Sequence, residues 1–442
     1  MSREPFISFA DVQKSFKVDQ TSKKAVLSRL GTRIERSHLQ VVVCVSTLAL
    51  SLTACAANPG PTKSYQPALE PIGEVQAIYD GKLSEELAVT TFRNTDRLFP
   101  VRTIKAGGHP LPLPRSAQPL GPVAFDYKDK RYSLDDYVAL NRVTGLLVLK
   151  DGQIVTERYE KGNTADTRWM SMSVAKSITS TLVGAALQDG SIKSLDDKVT
   201  HYLPAMAGSG YDQVTVRQIL SMRSGIKWNE KYTDPTSDER QLIKLRIEQV
   251  PGSLLKFMAS LPTAAPPGTR TNYSTGETQV LGQLVSAAVG KPLTQYLSEK
   301  IWAPYGMQTD AKWWLDGPNG NEVGGSGISA TLEDYGRFGQ FVLSGGKAGD
   351  RQVLPEDWMS FASATTGTDA AYGDFANMWW PGWTDASKAD KAFTAAGTFG
   401  QFIYINPTKN VVIVVWQAQT KPTGGEVIDD MVAFDAITNT LQ

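Results

Sequence analysis

Apolar and polar positions alternate most clearly where the folded body of the chain begins. The run TGLLVLKDGQIVTERYEKG (144–162) opens with an unbroken apolar segment and turns at Asp151-Gly152. It then alternates through Ile154, Thr156 and Arg158, which predicts a β-hairpin. Directly after it the period lengthens. Ile178, Leu182, Ala185 and Ala186 share one face of a helix that starts at Ser173, runs to about Gln188 and is stopped by Gly190. From about 195 to 310 the pattern is helical and loop-rich. Two strands return near the end, GQFIYINP (400–407) and NVVIVVWQAQ (410–419), followed by an amphipathic helix in GEVIDDMVAFDAITNTL. Strands at both ends with helices between predict an α/β chain of the α+β kind, in which one antiparallel sheet is assembled from both termini around an inserted helical region. No internal repeat is present.

The predicted domain spans 125–442. Ahead of it, 70–124 mixes short helical signals with the Pro/Gly-rich loop KAGGHPLPLPRSAQPLGP and reads as a segment wrapping the domain. Residues 55–69 have the composition of a tether. Residues 1–54 read as a signal region: Arg29, Arg33 and Arg36 precede the apolar run VVVCVSTLALSL and then Thr53-Ala54-Cys55. That run is shorter than the ~20 residues a spanning helix needs. Leu52-Thr53-Ala54-Cys55 resembles a bacterial lipobox, which implies lipidation at Cys55. A lipid-anchored envelope protein on the periplasmic face of the outer membrane is then expected. The 28 residues ahead of Arg29 are long for a signal and suggest that translation starts further along.

Charge and cysteine content narrow the partners. Among 442 residues, 45 basic and 45 acidic side chains cancel, which gives no electrostatic reason for a nucleic-acid partner. Of the two cysteines, Cys44 lies in the signal and Cys55 at the lipobox, leaving no disulfide or cysteine metal site in the mature chain.

The candidate chemistry lies in WMSMSVAKSITS (169–180), where Ser173 and Lys176 stand three residues apart. Ser-x-x-Lys also occurs at Ser224/Lys227, Ser253/Lys256 and Ser344/Lys347, so spacing alone decides nothing. Ser224 and Ser344 are followed by glycines, which favour turns; Ser253 is followed by Leu254-Leu255, ordinary core. Only Ser173 has a hairpin before it and a long helix starting at it. There the free N–H groups and the dipole favour negative charge, and i and i+3 share a face. A serine hydroxyl needs a neighbouring base. Lysine serves as one only if an enclosed site draws its pKa from about 10.4 towards about 7 to 8, at a cost of about 4 kcal/mol. Histidine is poorly supplied: His38 lies in the signal region, and only His109 and His201 remain. There is no G-x-S-x-G elbow, H-E-x-x-H or histidine cluster, and no metal or organic cofactor is implied.

Three stretches fall in order along the chain: Ser173-Val174-Ala175-Lys176, then Tyr273-Ser274-Thr275 in TNYSTGETQVLGQLVSAAVG, then FTAAGTFGQFIYINP. With ILSMRSGIKWNE, GGSGISATLEDYGRFGQFVLSGG and YGDFANMWWPGW, the chain resembles the serine β-lactamase and penicillin-binding-protein superfamily. The likeness is to its class C-like esterase branch, which includes the 6-aminohexanoate-dimer hydrolases. The resemblance implies an antiparallel sheet flanked by helices, a mainly helical region, and a site between them. It implies Ser173 as acyl-accepting nucleophile, Lys176 as its proton partner and Tyr273 as proton shuttle. The oxyanion hole would come from the backbone N–H groups of Ser173 and Gln401, with Gly400 permitting close approach.

Two departures qualify what the resemblance implies. Thr275 stands where the β-lactamases usually have asparagine, and Thr398-Phe399-Gly400 stands where Lys-Thr-Gly is usual. That lysine supports recognition of a substrate carboxylate, so ester or amide hydrolysis of small molecules is expected ahead of β-lactamase or penicillin-binding peptidase activity. A catalytically silent binding protein of the same fold is the further alternative. Thr275, Thr398 and Phe399 become candidate substrate contacts, as do Tyr232 in the polar loop NEKYTDPTSDERQ, and Trp379 and Trp380. Plain core packing competes for the tryptophans and a solvated loop for Tyr232.

Overall fold

A computed structural model describes residues 69–364, 375 and 377–441. The expected signal region and Cys55 lie outside the described residues, as does the tether apart from Leu69. In chain order, two short helices, α1 (Val75–Tyr79) and α2 (Glu85–Arg93), lead into strand β1 (Val101–Ile104). The hairpin β2 (Ala124–Tyr127) and β3 (Lys130–Ser133) is followed by α3 (Leu134–Leu140), β4 (Val143–Lys150), β5 (Gln153–Tyr159) and β6 (Trp169–Met170). The helical region includes α4 (Val174–Gln188), α5 (Asp238–Glu248) and α6 (Thr275–Val289). After it come β7 (Ala311–Trp314), β8 (Ile328–Ala330) and α7 (Leu332–Leu343). The chain closes with β9 (Trp380–Pro381), β10 (Phe393–Gly397), β11 (Gln401–Asn406), β12 (Val411–Gln417) and α8 (Asp430–Thr440).

The main sheet has six strands in the order β9-β10-β11-β12-β4-β5, antiparallel throughout. The two termini of the folded body meet at its centre, where Ile413 faces Val148 and Val414 faces Leu147. Both central strands are almost wholly buried because helices cover both faces. Alternation sorts β12 between two cores. Val411, Ile413 and Val415 join Tyr137 of α3 and Phe434 and Ile437 of α8. Val412, Val414 and Trp416 join Phe338 and Phe341 of α7 and the helical region. A side chain at Gly339 would meet Val412 Cγ1 at 2.5 Å, so this glycine lets α7 lie close on the sheet.

The hairpin is where the pattern places it, with Asp151 at φ 51° and Gly152 at φ 76° as a two-residue left-handed turn suits. The helix after Ser173 also ends as expected, at Gln188, with Gly190 at φ 77°. Its burial differs: α4 is enclosed on all sides, not on one face, because α6 and the main sheet both pack on it. A second sheet, β1-β7-β8-β6, ties the N-terminal segment to the strand entering α4. The site lies where α4, α6 and the edge of β10 converge.

Candidate active site

Ser173 is the N-cap residue of α4, yet its side chain accepts no backbone N–H. The usual capping role of an N-terminal serine is vacant, and the hydroxyl instead meets Lys176 Nζ at 2.8 Å. The strand-to-helix elbow that aims it is stiff. Ser171 N donates to Ile328 O at 2.7 Å and Ser171 Oγ accepts from Ile328 N at 3.1 Å. Met172 sits at φ 41°, a left-handed conformation that is costly for a residue with a side chain. The end of β10 runs against this elbow: a Cβ at Gly397 would lie 2.6 Å from Ser171 O and 3.0 Å from Ser173 N. Within the described residues neither Ser173 N–H nor the N–H of the next turn residue, Thr398, donates a hydrogen bond. Phe399 N–H is engaged with Pro422 O at 3.0 Å.

Lys176 is 2 % exposed. Its Nζ donates to Ser173 Oγ and to Gly325 O at 3.1 Å, and it stands 5.3 Å from the centre of the Tyr273 ring. Burial pulls its pKa from 10.5 down to about 8; the carboxylates of Glu230 and Glu239 oppose that, and Arg246 adds to it. The Gly325 carbonyl is delivered by a loop clamped between two helices. Thr179 Oγ1 of α4 donates to Gly324 O at 2.7 Å, and Gly324 N donates to Gln279 Oε1 of α6 at 3.0 Å.

Tyr273 directly precedes the cap of α6, where Ser274 Oγ accepts from Glu277 N. Its ring is buried between Phe375, edge-on at 5.3 Å, and Trp380 at 5.7 Å. Thr275 is 5 % exposed, and its N–H and hydroxyl both donate to Glu230, at 2.9 and 2.5 Å. Glu230 also accepts from Tyr232 OH at 2.7 Å and from Trp228 Nε1. Behind it, burial pushes the Glu239 carboxyl up to about 8, and Arg246 is enclosed beside it at 3.9 Å.

Ser173, Lys176, Tyr273, Thr275, Trp380 and the Thr398–Phe399 turn thus meet at one place. Tyr232 joins them with its hydroxyl turned inward to Glu230. Gln401 does so only from behind. It opens β11 opposite Gly397, and its side-chain oxygen accepts from Trp169 Nε1 at 2.8 Å. Its Nε2 donates to Phe399 O and Gln417 O, so the residue braces the turn. Trp379 is fully buried against Phe393, ordinary core packing. Trp383 binds Asp429 with its Nε1 at 3.1 Å and packs on the other face of the sheet. His109 and His201 are both exposed. Sequence reading did not find Gly325, Glu230, Glu239, Arg246 or Gly397. Glu230 closes the quoted stretch ILSMRSGIKWNE, but its contacts with Thr275 and Tyr232 are tertiary and leave no local signal.

The family model for beta-lactamase matches residues 141–437, and the chain belongs to that family. A 6-aminohexanoate-dimer hydrolase from Paenarthrobacter ureafaciens is 29 % identical over 314 residues, spanning 66 % of this chain and 78 % of the relative. A solved Bacillus anthracis structure assigned as a 6-aminohexanoate-dimer hydrolase superposes with a TM-score of 0.69. It is 21 % identical and covers 80 % of this chain and 92 % of its own. A penicillin-binding-protein homologue from Caulobacter crescentus superposes with a TM-score of 0.51 at 17 % identity, over 66 % and 90 % of the two chains. These confirm the expected fold class, and the characterised kind of relative is a hydrolase.

Proposed function

We propose that this protein is a serine hydrolase that cleaves ester or amide bonds of small molecules through an acyl-enzyme on Ser173. One observation carries the reading: a buried amine, with its pKa drawn down to about 8, 2.8 Å from a hydroxyl that caps nothing. Lys176 in its neutral form takes the Ser173 proton as Oγ attacks the carbonyl carbon. The substrate oxygen becomes an oxyanion facing the Ser173 N–H at the start of α4. For the second donor the reading now favours Thr398 N–H over Gln401. It is supported by the close approach of Gly397 to Ser173 N and by Thr398 N–H having no hydrogen-bond partner among the described residues. Such donors contribute about 3 kcal/mol each to transition-state stabilisation. Tyr273, beside Lys176, passes the proton to the departing oxygen or nitrogen. Water then attacks the acyl carbonyl and Ser173 is restored. The uncharged Thr398, in place of a lysine, favours substrates without a carboxylate at that end.

Intact-mass spectrometry after brief exposure to p-nitrophenyl butyrate tests this. An adduct of one butyryl group, mapped to Ser173 and absent from Ser173→Ala, is the expected result; an adduct on another residue overturns it. Export and lipid attachment at Cys55 are part of the proposal, motivated by the lipobox-like sequence. Metabolic labelling with an alkyne palmitate tests them, with label expected on the native chain and lost in Cys55→Ser.

A further inference from the structure

The turn that lies against the nucleophile's elbow has a costly backbone. Phe399 sits at φ 65° and Gly400 at φ 83°, and the left-handed conformation is unfavourable for a residue with a side chain. Such a turn keeps its shape only where its surroundings fix it. Here three glutamines do so. Gln401 Nε2 donates to Phe399 O at 2.9 Å and to Gln417 O at 2.8 Å. Gln419 N donates to the same Phe399 carbonyl at 3.4 Å. The side chain of Gln417 closes the far side, because a Cβ at Gly400 would overlap its amide. Gln417 is the last residue of β12 and is fully buried. The pairing of β12 with β4 slips between Trp416 and Gln417, and such irregularities re-aim a side chain.

We propose that Asp430, acting through Gln417, is a positioning residue for the turn that supplies the second oxyanion donor; the inference rests on the acyl-enzyme reading of Ser173. Asp430 opens α8. Its Oδ1 accepts from Gln417 Nε2, from Tyr137 OH of α3 at 2.7 Å and from Asn141 Nδ2 at 3.1 Å. These donors are all neutral, and a carboxyl buried among neutral groups is costly to keep. What it secures is the Gln417 amide, whose Oε1 in turn accepts from Gln419 Nε2 at 2.9 Å. The path to the nucleophile is unbroken. Asp430 holds the Gln417 side chain, which packs under Gly400, and the Gln417 carbonyl anchors Gln401, which grips Phe399 O. The residue before Phe399 is Thr398, the proposed donor. The one before that is Gly397, whose Cβ would come within 3.0 Å of Ser173 N. Displacing a transition-state contact by about 1 Å costs about a hundredfold in rate, so the setting of this turn governs turnover.

The test compares Gln417→Met, Asp430→Ala and Asp430→Asn in the full chain. Each is measured by p-nitrophenyl butyrate kinetics and by inhibition with propaneboronic acid, which takes up the Ser173 oxygen as a tetrahedral adduct with an oxygen in the oxyanion position. The inhibition constant does not depend on how much of a sample is folded, so it separates positioning from stability. Gln417→Met and Asp430→Ala should lower kcat and kcat/KM together by about tenfold, with KM within about twofold of native. Both should weaken the boronate by the same factor. The double variant should be no worse than Gln417→Met alone, since the two side chains act as one unit; additive losses would overturn the path through Gln417. Asp430→Asn keeps the acceptor oxygen and should stay within about threefold of native in both measurements. If Asp430→Ala does not fold, Gln417→Met carries the test. Folded variants that match the native kcat/KM and boronate affinity, with only the melting temperature lowered, overturn the positioning role and leave the nucleophile intact. Turnover that survives Ser173→Ala would instead overturn the acyl-enzyme reading and this inference with it.

Discussion

Glu230 accepts both the backbone N–H and the hydroxyl of Thr275, so the residue standing in the usual asparagine position is held by a carboxylate. The same carboxylate is the largest charged influence opposing the depressed pKa of Lys176. Glu230→Gln should therefore move the rise of kcat/KM with pH to lower pH, by about one unit. The plateau should fall as well, because an amide cannot accept from Trp228, Tyr232 and both groups of Thr275 together. A pH profile of kcat/KM measures both effects; a profile that moves to higher pH would contradict the account.

For the native enzyme the proposed mechanism makes the neutral form of Lys176 the base, and the sign of the pH dependence follows from that. Below about pH 8 the amine is protonated and cannot take the serine proton. Ester hydrolysis should accordingly climb with pH through that value and level off above it. Lys176→Ala should lower kcat/KM by about a thousandfold and remove the inflection. His201→Ala and His109→Ala should leave the rate unchanged, since both side chains are exposed.

The other Ser-x-x-Lys serines separate catalysis from structure. Ser224 is fully buried and donates to the Glu277 carboxyl, itself pushed up to about 8 by burial. Ser224→Ala should cost about 1–3 kcal/mol of stability by stranding that carboxyl, with kcat/KM nearly intact. Among the described residues the buried Ser253 Oγ has no hydrogen-bond partner, so Ser253→Ala should be close to neutral in both. Thermal melts beside ester turnover report the two effects separately.

A second buried acid sets a pH dependence of stability. Asp430 Oδ1 accepts from Tyr137 OH and from the amides of Asn141 and Gln417, and burial raises its pKa to about 7. The folded chain keeps this proton between about pH 4 and 7, where the unfolded chain has released it. The contribution of Asp430 is therefore greatest below about pH 4, declines as pH rises to 7 and is level above, by up to about 4 kcal/mol. Asp430→Asn should flatten that part of the profile, as denaturant melts between pH 5 and 8 would show.

Much of the architecture was legible because it is written in local periodicity. Leu146 to Leu149, the Asp151-Gly152 turn and the alternation from Ile154 specify a hairpin, and Val411 to Val415 specify a strand too apolar to face water. The Ser173/Lys176 pair was legible because helix geometry fixes i and i+3. What surrounds it was not. Gly325 stands 149 residues from Lys176 and Glu230 45 residues from Thr275, and such pairings follow only from docked helices. The one-sided helix expected after Ser173 failed for the same reason: packing by α6 cannot be seen in α4 alone. The resemblance implies Gln401, just after Gly400, as the second oxyanion donor, whereas the backbone lying against the elbow at Ser173 is that of Gly397, four residues earlier.

The loop clamped between α4 and α6 has a further consequence for how the chain is made. Before that loop settles, the amine at 176 is in water, carries its ordinary charge, and leaves the neighbouring alcohol as inert as any other. On the proposed mechanism Ser173 is therefore activated only in copies whose loop has docked, and an unfolded copy does not trap an acyl group on itself.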